Sequence, residues 1–448
     1  MKNIISQFTL KELEQLTFRA LQESFSKIMT QFLEELDQYI ADHRDKQRFK
    51  LEDKRKLSFD SMFGHVELRR NYYYDRVSEK YVSLLDHHLD FDGEQMLSPS
   101  VQDLAIELAV TGVSYRQASD ALEKLLGYPV ISHEGIRQQV LQTKVIPKDE
   151  QKIDGDVLFV EVDGLYTKSQ EKGRRGRELK IAAIHQGWEM NGKRASLINK
   201  QHFIHTNTYP FWEEFEYFLM ESYDYDPTRH SLVINGDGAR WITSCRDYFQ
   251  NNVIFTIDRF HIARDIRNIF RKHPRYQTIR KRLSEYDSHG FMVELNSAVG
   301  TLGDEQKEED LEELIAQLSQ YPEALDDYRN KLKNKGMDTK GFRPMGSGEG
   351  TMSVFAKRLK NGRSWCKEGL TKFSDLMVAL MDGQDFTTHR GTFKRAHVSD
   401  KNRGDENPPK HFVERLTDHV QHTRDNIAYL QQSVRKPVVA ALKGLKGY

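Results

Sequence analysis

The chain has 448 residues, with 67 Lys and Arg against 67 Asp and Glu, and is 38% hydrophobic; that length asks for about two to four domains, and the even charge excludes nucleic-acid binding through net charge alone. No apolar run approaches the roughly 20 residues of a membrane span, and MKNIISQFTL lacks the apolar core of a secretory signal, so a cytoplasmic protein with no membrane partner is expected. Cys245 and Cys366 stand far apart without CxxC or Cys/His spacing, which excludes a disulfide framework and a structural zinc site.

At the amino end Thr9 and Glu12 fit a capping box, and Phe18, Leu21, Phe25, Ile28, Phe32, Leu36 and Tyr39 recur at helical spacing. This helix either docks on its own domain or pairs as a short coiled coil. Residues 55–75 alternate apolar and polar on both sides of Gly64 and predict a β-hairpin, completing an N-terminal region over residues 1–95. Arg69, Arg70 and Tyr72, Tyr73 and Tyr74 set guanidinium groups beside aromatic rings, a mixture suited to nucleic acid, although an ordinary half-buried hairpin uses the same residues. Residues 96–150 predict three short helices: one over about 98–110, a second capped by Ser114 and a third capped by Ser132. A Gly-containing turn makes these a helix-turn-helix DNA-binding domain in which residues 132–143 enter the major groove with Arg137 and Gln138 on the polar side; small helical bundles share the pattern.

From residue 151 the texture changes. Strands over 157–167, 178–188 and 195–205 read as an antiparallel meander, followed by a helix bearing Phe211, Phe215, Phe218 and Leu219. A strand then ends at Gly236, Asp237 and Gly238, where the flanking glycines keep Cβ atoms away from the carboxylate, and a fifth strand, 253–257, is closed by Asp258, Arg259, Phe260 and His261. Three meandering strands, then helix, strand, helix, strand is the order of an RNase H-like fold, an α/β (α+β) class. In that order the first and fourth strands are neighbours, which brings Asp163 and Asp237 together; Glu161 shares the face of Asp163 in a secondary role. Arg264, Arg267 and Arg271 belong to a basic run, and residues from about 275 to 340 form a helical insertion with an acidic helix backed by Leu311, Leu314, Ile315 and Leu318. The chain returns at Gly346, Ser347 and Gly348, which introduce Glu349 and a helix carrying Lys357, Arg358 and Lys360, with Arg363 and Trp365 close behind. The catalytic domain covers 151–385, and residues 386–448 form a basic linker and a final charged helix.

Two aspartates near paired strands and a glutamate entering a late helix are what two-metal phosphoryl transfer requires. Their oxygens would hold two Mg²⁺ or Mn²⁺ ions roughly 3.5–4 Å apart, and Arg264, Arg267, Arg271, Lys357, Arg358 and Arg363 would hold the polyanion. A basic helix is also an ordinary solvated face, and a helix start favours any carboxylate electrostatically, which leaves a structural role for Glu349 open. His87, His88, His202 and His205 lack partners at metal spacing, and neither a Gly-rich phosphate loop nor a nucleophile elbow is present.

FVEVDG around Asp163, VINGDGARW around Asp237, IDRFH from Ile257 to His261, and GSGEG followed by a basic helix and Ser364 and Trp365 resemble bacterial insertion-sequence transposases of the DDE type, specifically the ISLre group, with a wider likeness to mutator-class transposases. The likeness spans essentially the whole chain. It implies Asp163, Asp237 and Glu349 as a metal-binding catalytic triad, His261 as a supporting group, and metal-dependent cleavage and strand transfer at element ends. The implied partners are double-stranded DNA, both terminal inverted repeats and target, and a homo-oligomer on paired ends in the bacterial nucleoid. GSGEG is looser than the glutamate-serine-asparagine pattern of such enzymes. A non-catalytic DNA-binding descendant is the alternative.

Overall fold

The computed structural model describes residues 9–387 apart from 92, 94–95, 147–152, 154 and 174–175. The expected linker and final helix beyond 387 lie outside the described residues. Two units divide the chain after Thr143, the second being Lys144–Thr387. The described part of the first unit therefore takes in both the hairpin region and the three helices expected after it.

In the first unit α1 (Leu10–His43) starts at the Thr9 capping box, with Glu12 N–H on Thr9 Oγ1 and Thr9 N–H on Glu12 Oε2. It packs Leu33, Met29, Leu36 and Ile40 against Leu57, Phe59, Val66 and Leu68 of a hairpin, β1 (Phe49–Ser61) and β2 (Gly64–Asp75). A third strand, β3 (Lys80–Val82), pairs with β2, and α2 (Leu84–Leu89) follows. The Arg/Tyr run divides. Tyr73 is fully buried, and Arg70 is buried in an ion pair with Asp86. Tyr72 instead stacks on Tyr81 and carries the Arg55 guanidinium 3.7 Å above its ring centroid. The helices are α3 (Pro99–Thr111), α4 (Tyr115–Leu126) and α5 (His133–Gln142), each started by the serine expected: Ser98, Ser114 and Ser132. The tight turn, residues 112–114, lies between α3 and α4; residues 127–132 make a longer connection into α5.

In the second unit β4 (Lys144–Val145) pairs with the last described strand, β13 (Phe386–Thr387), near the two ends of the unit. Between them runs a five-strand mixed sheet built from β5 (Val157–Ser169), β6 (Arg177–His185), β9 (Gln201–His205), β10 (Ser231–Gly236) and β11 (Val253–Ile257), in the order β11-β10-β5-β6-β9. β5, β6 and β9 are antiparallel in sequence, as the meander predicts, while β10 is parallel to both β5 and β11. The first and fourth sheet strands are neighbours. The stretch expected as one strand over 195–205 is instead divided between β8 (Arg194–Leu197), which pairs with β7 (Trp188–Asn191) in a separate ribbon, and β9.

Both faces of the sheet are covered, because alternate residues of its inner strands are apolar on both sides. One face (Leu158, Val160, Val162, Leu232, Ile234, Ile257) packs on α6 (Phe211–Tyr223), α7 (Arg240–Thr243), α8 (Cys245–Phe249) and α9 (Arg259–Phe270). The expected insertion, α10 (Tyr276–Ser284), α11 (Ser288–Asn296) and α12 (Glu305–Ser319), enters the same core through Ile279, Phe291, Leu311, Leu314 and Leu318. The other face (Val157, Phe159, Val233, Ile254) meets Tyr328 and Leu332 of α13 (Tyr328–Asn334) and Phe342. Then come α14 (Gly348–Leu359), the short β12 (Ser364–Trp365) beside the far end of β5, and α15 (Lys367–Asp382). No described helix is long and apolar enough to cross a membrane.

Candidate active site

Strand register sets the site. Asn235 pairs with Glu161 on one side and Thr256 on the other, so two residues further along the three parallel strands stand Asp163, Asp237 and Asp258. By period-two alternation Glu161, Asp163, Asn235 and Thr256 belong to the face of Val157, Val233 and Ile254, while Asp237 and Asp258 stand just past the ends of β10 and β11. The approach of β10 to β5 depends on glycine, since a Cβ at Gly236 would lie 3.1 Å from Val162 O and 2.7 Å from Ile242 Cγ2. Gly238 has φ +90, a backbone open chiefly to glycine, and turns the chain out of the strand. Asp237 Oδ1 takes the Ala239 N–H at 2.9 Å, and the Gln317 amide holds the Asp237 carbonyl at 2.8 Å.

The three aspartates interact. Burial pushes the Asp163 carboxyl above its ordinary range, and the charges of Asp237 and Asp258 push the same way, against the Gly164 N–H and His261. Asp258 caps α9 by accepting the Phe260 N–H at 2.9 Å. Its other oxygen lies 2.8 Å from His261 Nδ1, yet no hydrogen bond is aligned along that nitrogen, so the contact is an ion pair rather than a directed bond. The Asp258 carboxylate holds the His261 imidazole above its usual value, with Asp163 adding and burial opposing. Asp258 is legible as a strand-end acid without a role of its own; the structure sets it beside Asp163 and His261.

Glu349 occupies the first turn of α14 and is exposed. It lines a narrow cleft together with Asp163, Asp258, Asn235 and Glu161. The acids are oxygen donors suited to Mg²⁺ or Mn²⁺. Among the described residues no three His, Cys, Asp or Glu side chains converge as ligands of one ion. Asp163 and Asp237 thus interact electrostatically, whereas Glu349 shares its cleft with Asp163 and Asp258 and not with Asp237.

The residue that the sequence reading ranked second is the most heavily bonded. Glu161 is 5% exposed; its Oε1 accepts Ser347 N–H at 2.7 Å, Ser347 Oγ–H at 2.8 Å and Gly346 N–H at 3.1 Å, and its Oε2 accepts the Gly348 N–H. Lys200, whose ammonium burial pulls below its ordinary value, donates to Thr351 Oγ1 at 2.8 Å, with the charges of Glu161 and Asp382 opposing that pull. No motif in the sequence pointed to Lys200.

The expected DNA contacts fall into three groups. Arg264, Arg267 and Arg271 are exposed and share one side of α9, a stripe that begins next to His261. Lys357 is exposed on α14. Arg358 departs from the expectation of a surface contact: it is 6% exposed, with its guanidinium 4.2 Å from the Phe373 ring centroid. Arg363 turns back on α14, giving Nη1–H to the carbonyls of Arg358 at 2.9 Å, Lys357 at 3.1 Å and Lys360 at 3.3 Å, a cap on groups that a helix end leaves open. In the first unit Arg137 and Gln138 both bond Glu134, through Arg137 Nη2 at 2.7 Å and Gln138 Nε2 at 3.0 Å, which holds the glutamate down at about 2.

Residues 4–394 match the family described as Uncharacterised protein family (UPF0236). A UPF0236 protein in the vanSb 3′ region of Streptococcus gallolyticus is 28% identical over 401 residues, 86% of each chain. A UPF0236 protein of Caldanaerobacter subterraneus subsp. tengcongensis is 26% identical over 423 residues, 92% of this chain and 87% of its own length, and its name joins many loci of one genome. Another from that organism, also named for several loci, is 24% identical over 420 residues, again covering 92% and 87%.

Proposed function

This chain belongs to the UPF0236 family, and from that premise we propose that it is a DDE-type transposase with an RNase H-like catalytic unit, cutting and joining DNA at the ends of an insertion sequence. One observation carries the reading: on neighbouring parallel strands Asp163 lies within β5 while Asp237 and Asp258 directly follow β10 and β11, and the start of α14 brings Glu349 to the cleft that Asp163 and Asp258 line. The strand order, with β5 between β6 and β10, is the one expected of an RNase H-like unit and supports that reading. Relatives named for many loci of one genome have the multiplicity expected of a mobile element.

In this reading Asp163 and Asp237 are fixed ligands, and the exposed Glu349 turns into the cleft to complete the set. Two bound Mg²⁺ or Mn²⁺ ions would supply activation of the attacking hydroxyl and stabilisation of the leaving oxygen. Asp258 fixes His261 beside Asp163, so the imidazole offsets part of the carboxylate repulsion. The stripe of Arg264, Arg267 and Arg271 leads away from His261 and suits a phosphodiester backbone that arrives at the acids along α9. Helix α5 supplies the end-reading surface in the first unit.

The test uses purified protein, labelled DNA carrying the flanks of its own gene, and Mg²⁺. Cleavage and strand transfer by the wild type, both lost in Asp163→Ala and in Asp237→Ala while end binding stays near wild type, is the expected result. Binding without cleavage by the wild type in Mg²⁺ and in Mn²⁺ would favour a non-catalytic DNA-binding descendant. Cleavage retained in both variants would remove the two-metal reading.

A further inference from the structure

We propose that Glu161 is the positioning residue for Glu349, a buried anion that ties the start of α14 to the strand carrying Asp163. The proposal rests on the reading of Glu349 as a metal ligand. Three consecutive backbone N–H groups and a hydroxyl, all from residues 346–348, converge on one carboxylate. Such a nest at a helix start binds anions in general, and here the anion belongs to the protein. Glu349 is the next residue. Its backbone position is therefore set from β5, where Glu161 and Asp163 lie two residues and roughly 7 Å apart on one face of a rigid strand.

Each residue of the loop has a physical reason. Gly346 has φ +152, a conformation that side chains resist. Ser347 contributes both its N–H and its hydroxyl. A Cβ at Gly348 would lie 2.9 Å from Glu161 Oε2 and 3.4 Å from Glu161 Cβ, so only glycine admits the carboxylate this close. The Gly-Ser-Gly that looked loose as a catalytic motif is thus a fitted seat for Glu161. Lys200 adds a second tie, bonding Thr351 one turn along α14 while its charge faces Glu161.

The decisive measurement is Mn²⁺ affinity of the full-length protein without DNA, by electron paramagnetic resonance and calorimetry, beside thermal melts. Glu349→Gln should weaken the ion bound through it by about tenfold or more, and Glu161→Gln should do the same with Glu349 intact, in the range found when groups behind metal ligands are removed. The double variant should bind no more weakly than Glu349→Gln alone. Gly348→Ala, which ordinary helix propensity would favour, should copy Glu161→Gln. Ser347→Ala, which leaves three of the four donors, should fall between.

Wild-type Mn²⁺ affinity in folded Glu161→Gln overturns the proposal while leaving the reading of Glu349 intact. Additive losses in the double variant also overturn it, because Glu161 would then be a ligand itself. Unchanged affinity in Glu349→Gln removes the ligand reading and the proposal with it. Should Glu161→Gln fail to fold, wild-type affinity in both Gly348→Ala and Ser347→Ala overturns the proposal.

Discussion

Asp163 sits where burial and two neighbouring carboxylates all oppose its charge. Its folded-state pKa is raised, so folding favours the protonated form. Stability is therefore lost as pH climbs out of the ordinary carboxylate range, and at neutral pH the ionised group costs the fold. Asp163→Asn should raise the melting temperature of metal-free protein by a few degrees while abolishing cleavage, a trade common at sites built for function. An unchanged or lower melting temperature would mean that Asp163 is well solvated. His185 titrates with the opposite sign. It is fully buried, stacked on Phe159 at 5.2 Å, and its Nε2 has no hydrogen-bond partner, so burial pushes it down to about 4. Between about pH 4 and 6.5 the unfolded chain binds the extra proton, and stability should fall by about 3 kcal/mol as pH drops through that window. His185→Phe keeps the stack and should flatten this part of the curve in denaturant titrations; an equal slope in the variant would assign the effect elsewhere.

Among the elements, helices and sheet strands with strong periodicity were legible, and side-chain direction at their ends was less so. Ser98, Ser114 and Ser132 marked three helix starts because a serine cap satisfies open N–H groups locally, whatever the tertiary context. The 195–205 strand was misjudged because the polar EMNGKRA stretch turns back on itself as a ribbon before β9 resumes. The sequence leaves Arg70 open between a nucleic-acid contact and a half-buried hairpin, and assigns Arg358 to holding the polyanion. Only the fold supplies Asp86 for one, and the Phe373 and Trp365 rings for the other. The acids Asp163 and Asp237 were recoverable from strand order, whereas the hold of Glu161 on residues 346–348 joins positions 185 to 187 apart and left no local trace. Helix α5 yields its own expectation. Glu134 engages both Arg137 and Gln138, so it competes with any phosphate or base for those side chains. Glu134→Ala should tighten DNA binding a few-fold and steepen its salt dependence by roughly one counterion. Weaker binding in fluorescence anisotropy would show instead that Glu134 itself reads the DNA.

At the scale of the molecule, the second unit has what independent folding needs. Its main core joins both the sheet and helices α6 to α12, and its first and last strands, β4 and β13, pair with each other, so its two ends meet. A fragment of residues 144–387 should therefore unfold in one cooperative transition and retain the face proposed to bind metal, since Glu161, Asp163, Asp237, Asp258 and Glu349 all lie within it. Helix α5 lies outside it, and the exposed Arg264, Arg267 and Arg271 offer phosphate contacts without base readout. The fragment should consequently bind Mn²⁺ with near wild-type affinity and bind DNA in a salt-sensitive way, but with equal affinity for element ends and for random sequence of the same length. Calorimetry and competition binding measure both. Retained preference for the ends would move sequence readout into the second unit and leave α5 a packing role, whereas loss of cooperative unfolding would mean that the division after Thr143 is not a folding boundary.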